Sequence, residues 1–442
     1  MRPLWHILER HLEEADFLLE VWTTCLDAPD YTLDELAAGP EARVIAQLNG
    51  LAVGGAPIID ELLAPTLERE PLDTSLACAA ALALFEIGSV DDCSRVLKVL
   101  DRTRPGDERW LGITRGLELS ERAGLDQWLI EQLGHGGASP RVAGLATAAA
   151  ERGVDPGSAI AQLIENQDPH VSSAAVKLAC NSSDARYLAL VGPLAQAEAP
   201  EVQRAALEAG LIRGLRGAWE SAIYWAFTER PCPFRRDALS WVAMLGDEGC
   251  QRRVLSLLGV EDLARDALWA ASFGGHVAVV DAAVALLTDD ELGPLAGETL
   301  SAVAGAPTND ESLWLPNTPT SHSSELPALE QDLDTDLSED PEDRIPRPNP
   351  EALAAWWTAR RNQPLNAPRL LAGQPWSPNG LVAALRAMPL RRRHAHALEL
   401  RIRSHGAQRI NTRSWAALQL DQLASLNPAA LTWVGGLPAP RS

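Results

Sequence analysis

The sequence has very little lysine, few of the smaller aromatic residues and no long apolar run. Lysine occurs only at Lys98 and Lys177, and five Phe and three Tyr stand beside fourteen Trp. Charged residues interrupt the first 21 positions from Arg2 to Asp16. This pattern excludes the apolar core of a signal peptide and a membrane span there. We therefore expect a cytoplasmic protein without a membrane span.

Cysteine is also scarce, and its spacing argues against a disulfide framework or a zinc site. The six cysteines are far apart, and none forms a Cys-x-x-Cys pair. Reduced core thiols fit this spacing better. His394 and His396 would point to different sides of a helix, whereas ligands on one helix face are three or four residues apart. With no recognisable catalytic motif either, we predict a non-enzymatic protein with no metal, no cofactor and no catalytic residues.

The chain is acidic, and its charge is unevenly distributed. It contains 38 Lys and Arg against 60 Asp and Glu, for a net charge of −22. Residues 306–350 hold eleven acidic residues, two arginines and eight prolines, whereas residues 351–442 hold twelve arginines and three acidic residues. A strongly negative chain is repelled by phosphate backbones, which argues against nucleic acid as the partner. The basic tail can instead fold back on the acidic remainder by charge attraction.

Helix is the only regular structure that the first 305 residues clearly indicate. Apolar residues recur mostly at spacings of three and four from Leu4 to Leu18, with charged residues between them, which is typical of an amphipathic helix. Thr32 and Glu35 have the spacing of a capping box and predict the start of a second helix. Ser377 followed by a proline predicts the N-cap of a later one.

A unit of two helices repeats along the chain with a period near 30 residues. Its clearest markers are Pro140, Pro169 and Pro200, each followed two residues later by a valine. Proline is favoured in the first turn of a helix, and this valine is placed to point into the core. Helix pairs at such a period bury their apolar faces by stacking on their neighbours. The sequence therefore predicts an all-α fold, namely an α-solenoid of HEAT-like helical repeats.

Composition divides the chain into four parts. We expect an N-terminal helical region at residues 1–72, the repeat solenoid at 73–305, an acidic Pro-rich flexible linker at 306–350, and a basic helical region at 351–442. The linker has too few apolar residues to offset its chain entropy, so it is predicted to be a disordered acidic insert. The basic region is predicted to cap the stack.

Two groups of side chains are candidates for contact with a partner protein. The first group contains tryptophans that are not easily explained as core residues: Trp314, Trp356 and Trp357. The second group is the densest basic cluster: Arg391, Arg392, Arg393, Arg401 and Arg403. No aromatic residue for base stacking lies within this cluster, which disfavours nucleic acid. An acidic protein or the chain's own linker is the expected counterpart.

Three segments carry a resemblance to a known family. They are residues 7–20, residues 31–55 with Arg43, Ala46, Leu48, Gly50, Leu51 and Gly54, and residues 373–418 with Arg392, Arg393, Glu399, Leu400 and Arg403. Together they resemble an uncharacterised proteobacterial family of HEAT-repeat proteins encoded near type VI secretion genes. The resemblance implies an accessory role in that system, as a scaffold, adaptor or immunity-type binder. It supplies no catalytic residues.

The predicted function is protein binding, because a solenoid offers a long curved surface without a deep pocket. We expect a non-enzymatic scaffold or adaptor whose protein partner is a secretion component or an effector. Two alternatives stay open: an immunity-type protein that neutralises a basic toxin, and a helical-repeat lyase-like enzyme that holds a small ligand. The sequence indicates neither the identity of the partner nor the oligomeric state.

Overall fold

A computed structural model describes residues 3–316, 341–361, 367–431, 433 and 435–437. The middle of the predicted disordered insert, residues 317–340, lies outside the described residues. The protein is all-α. In its described part the only strands are the two-residue β1 Leu370–Leu371 and β2 Gln374–Pro375, which pair antiparallel. No helix of that part is both long and apolar enough to cross a membrane.

The N-terminal region consists of one long helix and three shorter ones. Their bounds are α1 Trp5–Cys25, α2 Leu33–Leu36, α3 Ala42–Ala52 and α4 Ala64–Leu67, with π-helical turns at Ala37–Glu41 and Ile59–Leu63. The predicted capping box forms at α2. There the Thr32 hydroxyl accepts a hydrogen bond from the Glu35 backbone, and the Glu35 carboxylate accepts one from the Thr32 backbone.

Residues 74–299 form a series in which alternate helices pack on one another. The odd-numbered helices are α5 Thr74–Ile87, α7 Glu108–Leu119, α9 Ser139–Arg152, α11 Pro169–Asn181, α13 Pro200–Arg213, α15 Arg235–Leu245, α17 Glu261–Gly274 and α19 Gly293–Thr299. The even-numbered helices are α6 Val90–Leu100, α8 Leu125–His135, α10 Ala159–Ile164, α12 Ala185–Val191, α14 Ala218–Phe227, α16 Glu248–Ser256 and α18 Val277–Leu286. The odd-numbered helices begin 26 to 35 residues apart.

The predicted proline markers start three of these helices. Pro140, Pro169 and Pro200 occupy the first turn of α9, α11 and α13, where the missing N–H has no intrahelical acceptor to lose. The valines two positions later are all buried, as predicted: Val142, Val171 and Val202. The local start signals and the inward-facing positions of these helices were therefore readable from the sequence.

Contacts run from each odd-numbered helix to the next, with one interruption. α5 packs on α7, α7 on α9, α9 on α11 and α11 on α13; α14 then connects α13 to α15, and α15 packs on α17. At Gly112 of α7, an added Cβ would lie 2.4 Å from the Thr74 carbonyl oxygen and 2.5 Å from the Ala77 Cβ. The backbones of α5 and α7 can approach this closely only because the position is glycine.

Four more helices follow the acidic segment: α20 Pro350–Arg361, α21 Pro378–Ala387, α22 Leu390–Arg403 and α23 Ala416–Ser425. Ser377 caps α21 as predicted, since its hydroxyl accepts from the Gly380 backbone at 3.0 Å. α22 contacts α13, α15 and α21. It thus lies against the middle of the series of helices, and the predicted cap at one end of the stack is replaced by a lateral position.

The described ends of the acidic segment are packed. Leu313, Trp314 and Ile345 are buried. Backbone hydrogen bonds of 2.9 Å join Leu315 to Arg347 and Asn349 to Leu313. The prediction of a flexible linker is therefore wrong for residues 306–316 and 341–350, because a few apolar side chains anchor each end to the helices.

Candidate functional site

Most of the predicted basic cluster is buried on α22. Arg391, Arg392, Arg393 and Arg403 are at most 7% exposed, and Arg401 is partly exposed. The expectation of an accessible basic patch is wrong for these four side chains. The physical reason is that carboxylates, carbonyls and aromatic rings from distant segments surround them, so their charge is compensated inside the protein.

Glu342 is bound by arginines from three different helices. Its Oε1 accepts from Arg236 Nη2 at 2.7 Å and from Arg391 Nη2 at 2.6 Å, and its Oε2 accepts from Arg265 Nε at 2.7 Å. Burial alone would raise the pKa of Glu342, but the hydrogen bond from Arg236 and the three positive charges lower it to about 2. The acidic segment is thus fastened to α15, α17 and α22. The expected pairing of the basic cluster with the chain's own linker is seen in this contact.

The next two arginines of α22 are held by aromatic and polar groups. The Arg392 guanidinium lies 4.5 Å from the Phe273 ring centre and donates to the Ser272 hydroxyl at 2.7 Å. Arg393 donates to the Gln419 side chain at 2.7 Å. Burial lowers the pKa of both groups to about 10. Their role is internal packing and hydrogen bonding.

Glu399 forms a second buried charge centre one helical turn before the end of α22. Its carboxylate accepts from Arg369 at 2.6 and 2.9 Å and from Arg403 Nε at 2.7 Å. Although burial opposes ionisation, the two guanidinium groups hold the pKa of Glu399 far below its usual range. His396 lies beside it with the Nδ1 3.9 Å from Glu399 Oε2, and burial lowers its pKa.

The three candidate tryptophans are packed to different degrees. Trp314 and Trp357 are 8% and 3% exposed, and their indole N–H groups donate to the Pro307 carbonyl at 3.0 Å and to Asp281 Oδ1 at 2.9 Å. Trp356 is half-buried, with the Arg360 guanidinium 5.7 Å from its ring centre. The prediction of exposed anchors is wrong for Trp314 and Trp357, because α18, α19 and α20 together enclose them.

The basic tail lies along the C-terminal ends of the odd-numbered helices. The last carbonyl groups of a helix have no intrahelical donors, and positive charge is favourable there. At the end of α7, Trp415 Nε1 donates to the Leu119 carbonyl at 2.8 Å. At the end of α9, Arg409 Nη2 donates to the carbonyls of Ala150 and Glu151 at 3.0 and 2.5 Å.

The same arrangement continues toward the far end of the series. Arg403 Nη2 donates to the Met244 carbonyl of α15 at 3.0 Å, and Arg369 Nη2 donates to the Phe273 carbonyl of α17 at 2.7 Å. The backbone of Ala372 donates to the carbonyl of Ala302 at 2.8 Å, within the π-helical turn Leu300–Ala304 that extends α19. The tail therefore occupies the edge of the series where the odd-numbered helices end.

A different surface stays open between α1, α5 and α7. We call it the acidic groove, and its volume is about 660 Å³. Its charged lining residues are Asp16, Glu20, Asp73, Glu108, Arg115 and Glu118. This group was not predictable from the sequence, because three helices far apart in the chain contribute to it and each carries ordinary surface carboxylates.

Negative charge in the acidic groove is largely uncompensated. Arg115 Nη1 pairs with Glu118 at 2.7 Å, and its Nη2 donates to the Arg413 carbonyl. Burial raises the pKa of Glu118 despite the Arg115 charge. Burial also raises the pKa of Asp16, and the charges of Asp73 and Glu20 add to this effect against a hydrogen bond with Ser75.

Ion pairs continue from the acidic groove along the following helices. Glu118 lies within electrostatic range of Glu151 and Lys177, which pair with each other at 2.9 Å. Arg204 of α13 then pairs with Asp237 of α15 at 2.6 Å. These side chains are between 30% and 44% exposed. These helices therefore carry partly exposed ion pairs, in contrast to the unpaired carboxylates of the groove.

The described residues offer little for covalent or metal chemistry. No group of three or more His, Cys, Asp or Glu in the described ranges is arranged to hold a metal ion. All six cysteines are free thiols, and burial raises the pKa of each, to about 12 for Cys78 in the acidic groove. A thiol with such a pKa is not a nucleophile at neutral pH.

A second cleft of about 540 Å³ lies between α15, α16 and the tail, with His276 in its lining.

Comparison with known proteins gives no family. No protein-family model matches the chain, and no curated protein matches it. Among solved structures it is similar to an engineered protein determined by the Northeast Structural Genomics Consortium, with 15% sequence identity and a TM-score of 0.24 over 95% of each chain. A TM-score this low supports no conclusion about fold or function.

Proposed function

We propose that the protein is a non-enzymatic protein-binding scaffold or adaptor, built as an α-solenoid of HEAT-like repeats and acting in the cytoplasm. The observation that carries this proposal is the acidic groove, which stays open beside the edge of the odd-numbered helices that the chain's own tail fills. Packing of successive odd-numbered helices, with α14 connecting α13 to α15, at intervals of 26 to 35 residues supports the repeat architecture.

The proposed biological setting is an accessory role in type VI secretion, with a secretion component or an effector as the partner. This part rests on the sequence resemblance of residues 7–20, 31–55 and 373–418. An immunity-type role is the second candidate. It is favoured by the unpaired carboxylates of the groove, which are suited to a basic toxin.

Affinity purification from the native host tests the proposal. The tagged full-length protein is cross-linked at low salt, and the captured proteins are identified by mass spectrometry. A secretion component supports the adaptor role. A basic effector supports the immunity role if co-expression also protects cells from that effector. Capture of no protein above an untagged control would count against protein binding as the function.

A further inference from the structure

The acidic groove has the size and shape of a ligand site. Its volume of about 660 Å³ is within the range of roughly 300–1,000 Å³ that is typical of such sites. Leu19, Trp110 and Leu111 supply apolar wall, and Leu111 is 43% exposed. Phe17, 57% exposed, lies on the same helix as Asp16 and adds exposed apolar surface close by. A ligand with both apolar and charged parts fits this lining.

Four carboxylates in the groove have no basic partner. No ion pair in the described part of the chain joins Asp16, Glu20, Asp73 or Glu108 to an Arg, Lys or His side chain. Asp73 accepts from two neutral groups, the Ser75 hydroxyl and the Leu76 backbone. The lone basic residue of the lining, Arg115, is committed to Glu118 and to the Arg413 carbonyl. A positive charge entering the groove would thus meet carboxylates that nothing else neutralises.

A buried hydroxyl in the same lining also lacks a partner. Thr114 is 3% exposed, and its Oγ1 makes no hydrogen bond. A buried polar group without a partner is costly, so such groups in native proteins usually have a functional or solvent explanation. Thr114 thus contributes an unpaired hydroxyl to the wall of the groove, on the side of Gly144 in α9.

We propose that the acidic groove binds an arginine or lysine side chain presented by a basic segment of a partner protein. The aliphatic stem of that side chain packs on Leu111 and Trp110, and its cationic end lies among Asp16, Glu108 and the Thr114 hydroxyl. Four of the chain's own arginines on α22 are buried, and the fifth, Arg401, donates to Asn181, so none of them occupies the groove. This inference rests on the proposed protein-binding function and names the chemistry of the partner.

Direct binding of a defined peptide tests the inference on the full-length chain. The probe is a fluorescein-labelled peptide of alternating Arg and Leu, compared with the same peptide in which neutral citrulline replaces every Arg. We expect fluorescence anisotropy to show saturable binding of the Arg peptide and at least tenfold weaker binding of the citrulline peptide. Equal affinity for the two peptides would overturn the proposal.

Two sets of variants locate the binding site. Asp16→Asn combined with Glu108→Gln should raise the Kd at least tenfold. Glu13→Gln combined with Asp91→Asn removes the same charge from exposed positions outside the groove, and should change the Kd less than twofold. Thr114→Val, which alters no charge, should raise it about threefold. Equal weakening by both double variants would show that overall acidity is responsible and would overturn the proposal.

Competition separates a peptide from a free small cation. Spermidine that displaces the Arg peptide at concentrations equal to the peptide's Kd would overturn the proposal in favour of a polyamine site. Failure of the groove inference can also be distinguished from failure of the proposed protein-binding function. If a protein partner captured from the host binds wild type and the groove variant equally, the groove inference is wrong while protein binding stands.

Discussion

Glu342 shows how a single carboxylate can join distant parts of this chain. It lies in the most acidic stretch of the sequence, yet three arginines from α15, α17 and α22 surround it. Two residues later, Arg344 pairs with Asp30 at 2.7 Å, in the loop that follows α1. Three residues of the acidic segment, 342–344, therefore connect the N-terminal region, the later helices and the tail.

Neutralising this carboxylate should destabilise the protein. Glu342→Gln keeps the shape of the side chain but removes the charge that compensates Arg391 and Arg236. We expect the free energy of unfolding at pH 7 to fall by about 2–3 kcal/mol, as measured by urea denaturation. Asp343→Asn, at an exposed neighbouring position, should change it by less than about 0.5 kcal/mol.

The effect of this variant should depend on pH in a defined direction. Because the folded-state pKa of Glu342 is about 2 and the unfolded value is about 4.5, its stabilisation is complete above pH 4.5. It is lost as the pH falls from 4.5 toward 2. The stability difference between wild type and Glu342→Gln should therefore shrink over that interval. A constant difference would contradict the ionic explanation.

His396 should make the protein sensitive to mild acid. Burial lowers its pKa, with Arg392 and Arg369 acting in the same direction and Glu399 opposing them. The unfolded chain therefore binds a proton below about pH 6.5 that the folded chain does not bind. Stability is complete above that pH and decreases as the pH falls below it.

Substitution of His396 isolates this contribution. In His396→Gln, the slope of unfolding free energy against pH between 6.5 and 5 should be smaller by up to about 1.4 kcal/mol per pH unit. His6→Gln is the control, because it removes a histidine from an exposed position. An unchanged slope in His396→Gln would show that other groups cause the acid sensitivity.

At the scale of helices, the contact between α5 and α7 depends on glycine. Gly112→Ala places a methyl group against the Thr74 carbonyl and should reduce stability by about 1–3 kcal/mol. Gly134→Ala is a matched change near the end of α8, where no atom apart from the neighbouring residues and the backbone of its own helix lies within 4 Å of the new Cβ. It should instead increase stability by about 0.5–1 kcal/mol, because alanine favours helix. Thermal or urea unfolding distinguishes the expected loss of stability in Gly112→Ala from the expected gain in Gly134→Ala. Similar losses of stability in both variants would contradict the explanation.

Local helix signals were readable from the sequence, and their long-range partners were not. Thr32, Pro169 and Ser377 each act within a few residues, so the spacing of neighbouring residue types was sufficient to place helix starts. The burial of Arg392 and Arg393 depends on Ser272 and Gln419, which are 120 and 26 residues away. Three consecutive arginines look like a solvated patch unless those partners are known.

The acidic groove was missed for a related reason. Asp16, Asp73 and Glu108 belong to three separate helices or their caps, and each is an unremarkable carboxylate in an acidic sequence. Only the packing of α1 and α7 on α5 brings them together. The uneven distribution of charge along the sequence did predict contact between the basic tail and the acidic remainder. It did not indicate which helix ends the arginines of the tail contact.

At the scale of the whole molecule, the tail and the series of helices should be interdependent. A fragment of residues 1–366 leaves the end carbonyls of α7, α9, α15 and α17 without the donors described above. We expect this fragment to retain helical circular dichroism but to bind the dye ANS and unfold without a sharp transition. Addition of a separate fragment of residues 367–442 should restore the sharp transition. A fragment that is already cooperative alone would contradict this dependence.

Placement of the tail also has a consequence for synthesis of the protein. α9 ends at Arg152, and Arg409, which binds its last carbonyls, is translated 257 residues later. At a translation rate of roughly 5–20 residues per second, Arg409 is added about 13–50 s after the end of α9 has been synthesised. During that interval the growing chain exposes polar backbone groups and the apolar surface that the tail will cover. We therefore expect chaperones that bind exposed apolar surface to associate with the growing chain until the segment with Arg409 and Trp415 has emerged. A stop codon before that segment would release a chain without these donors.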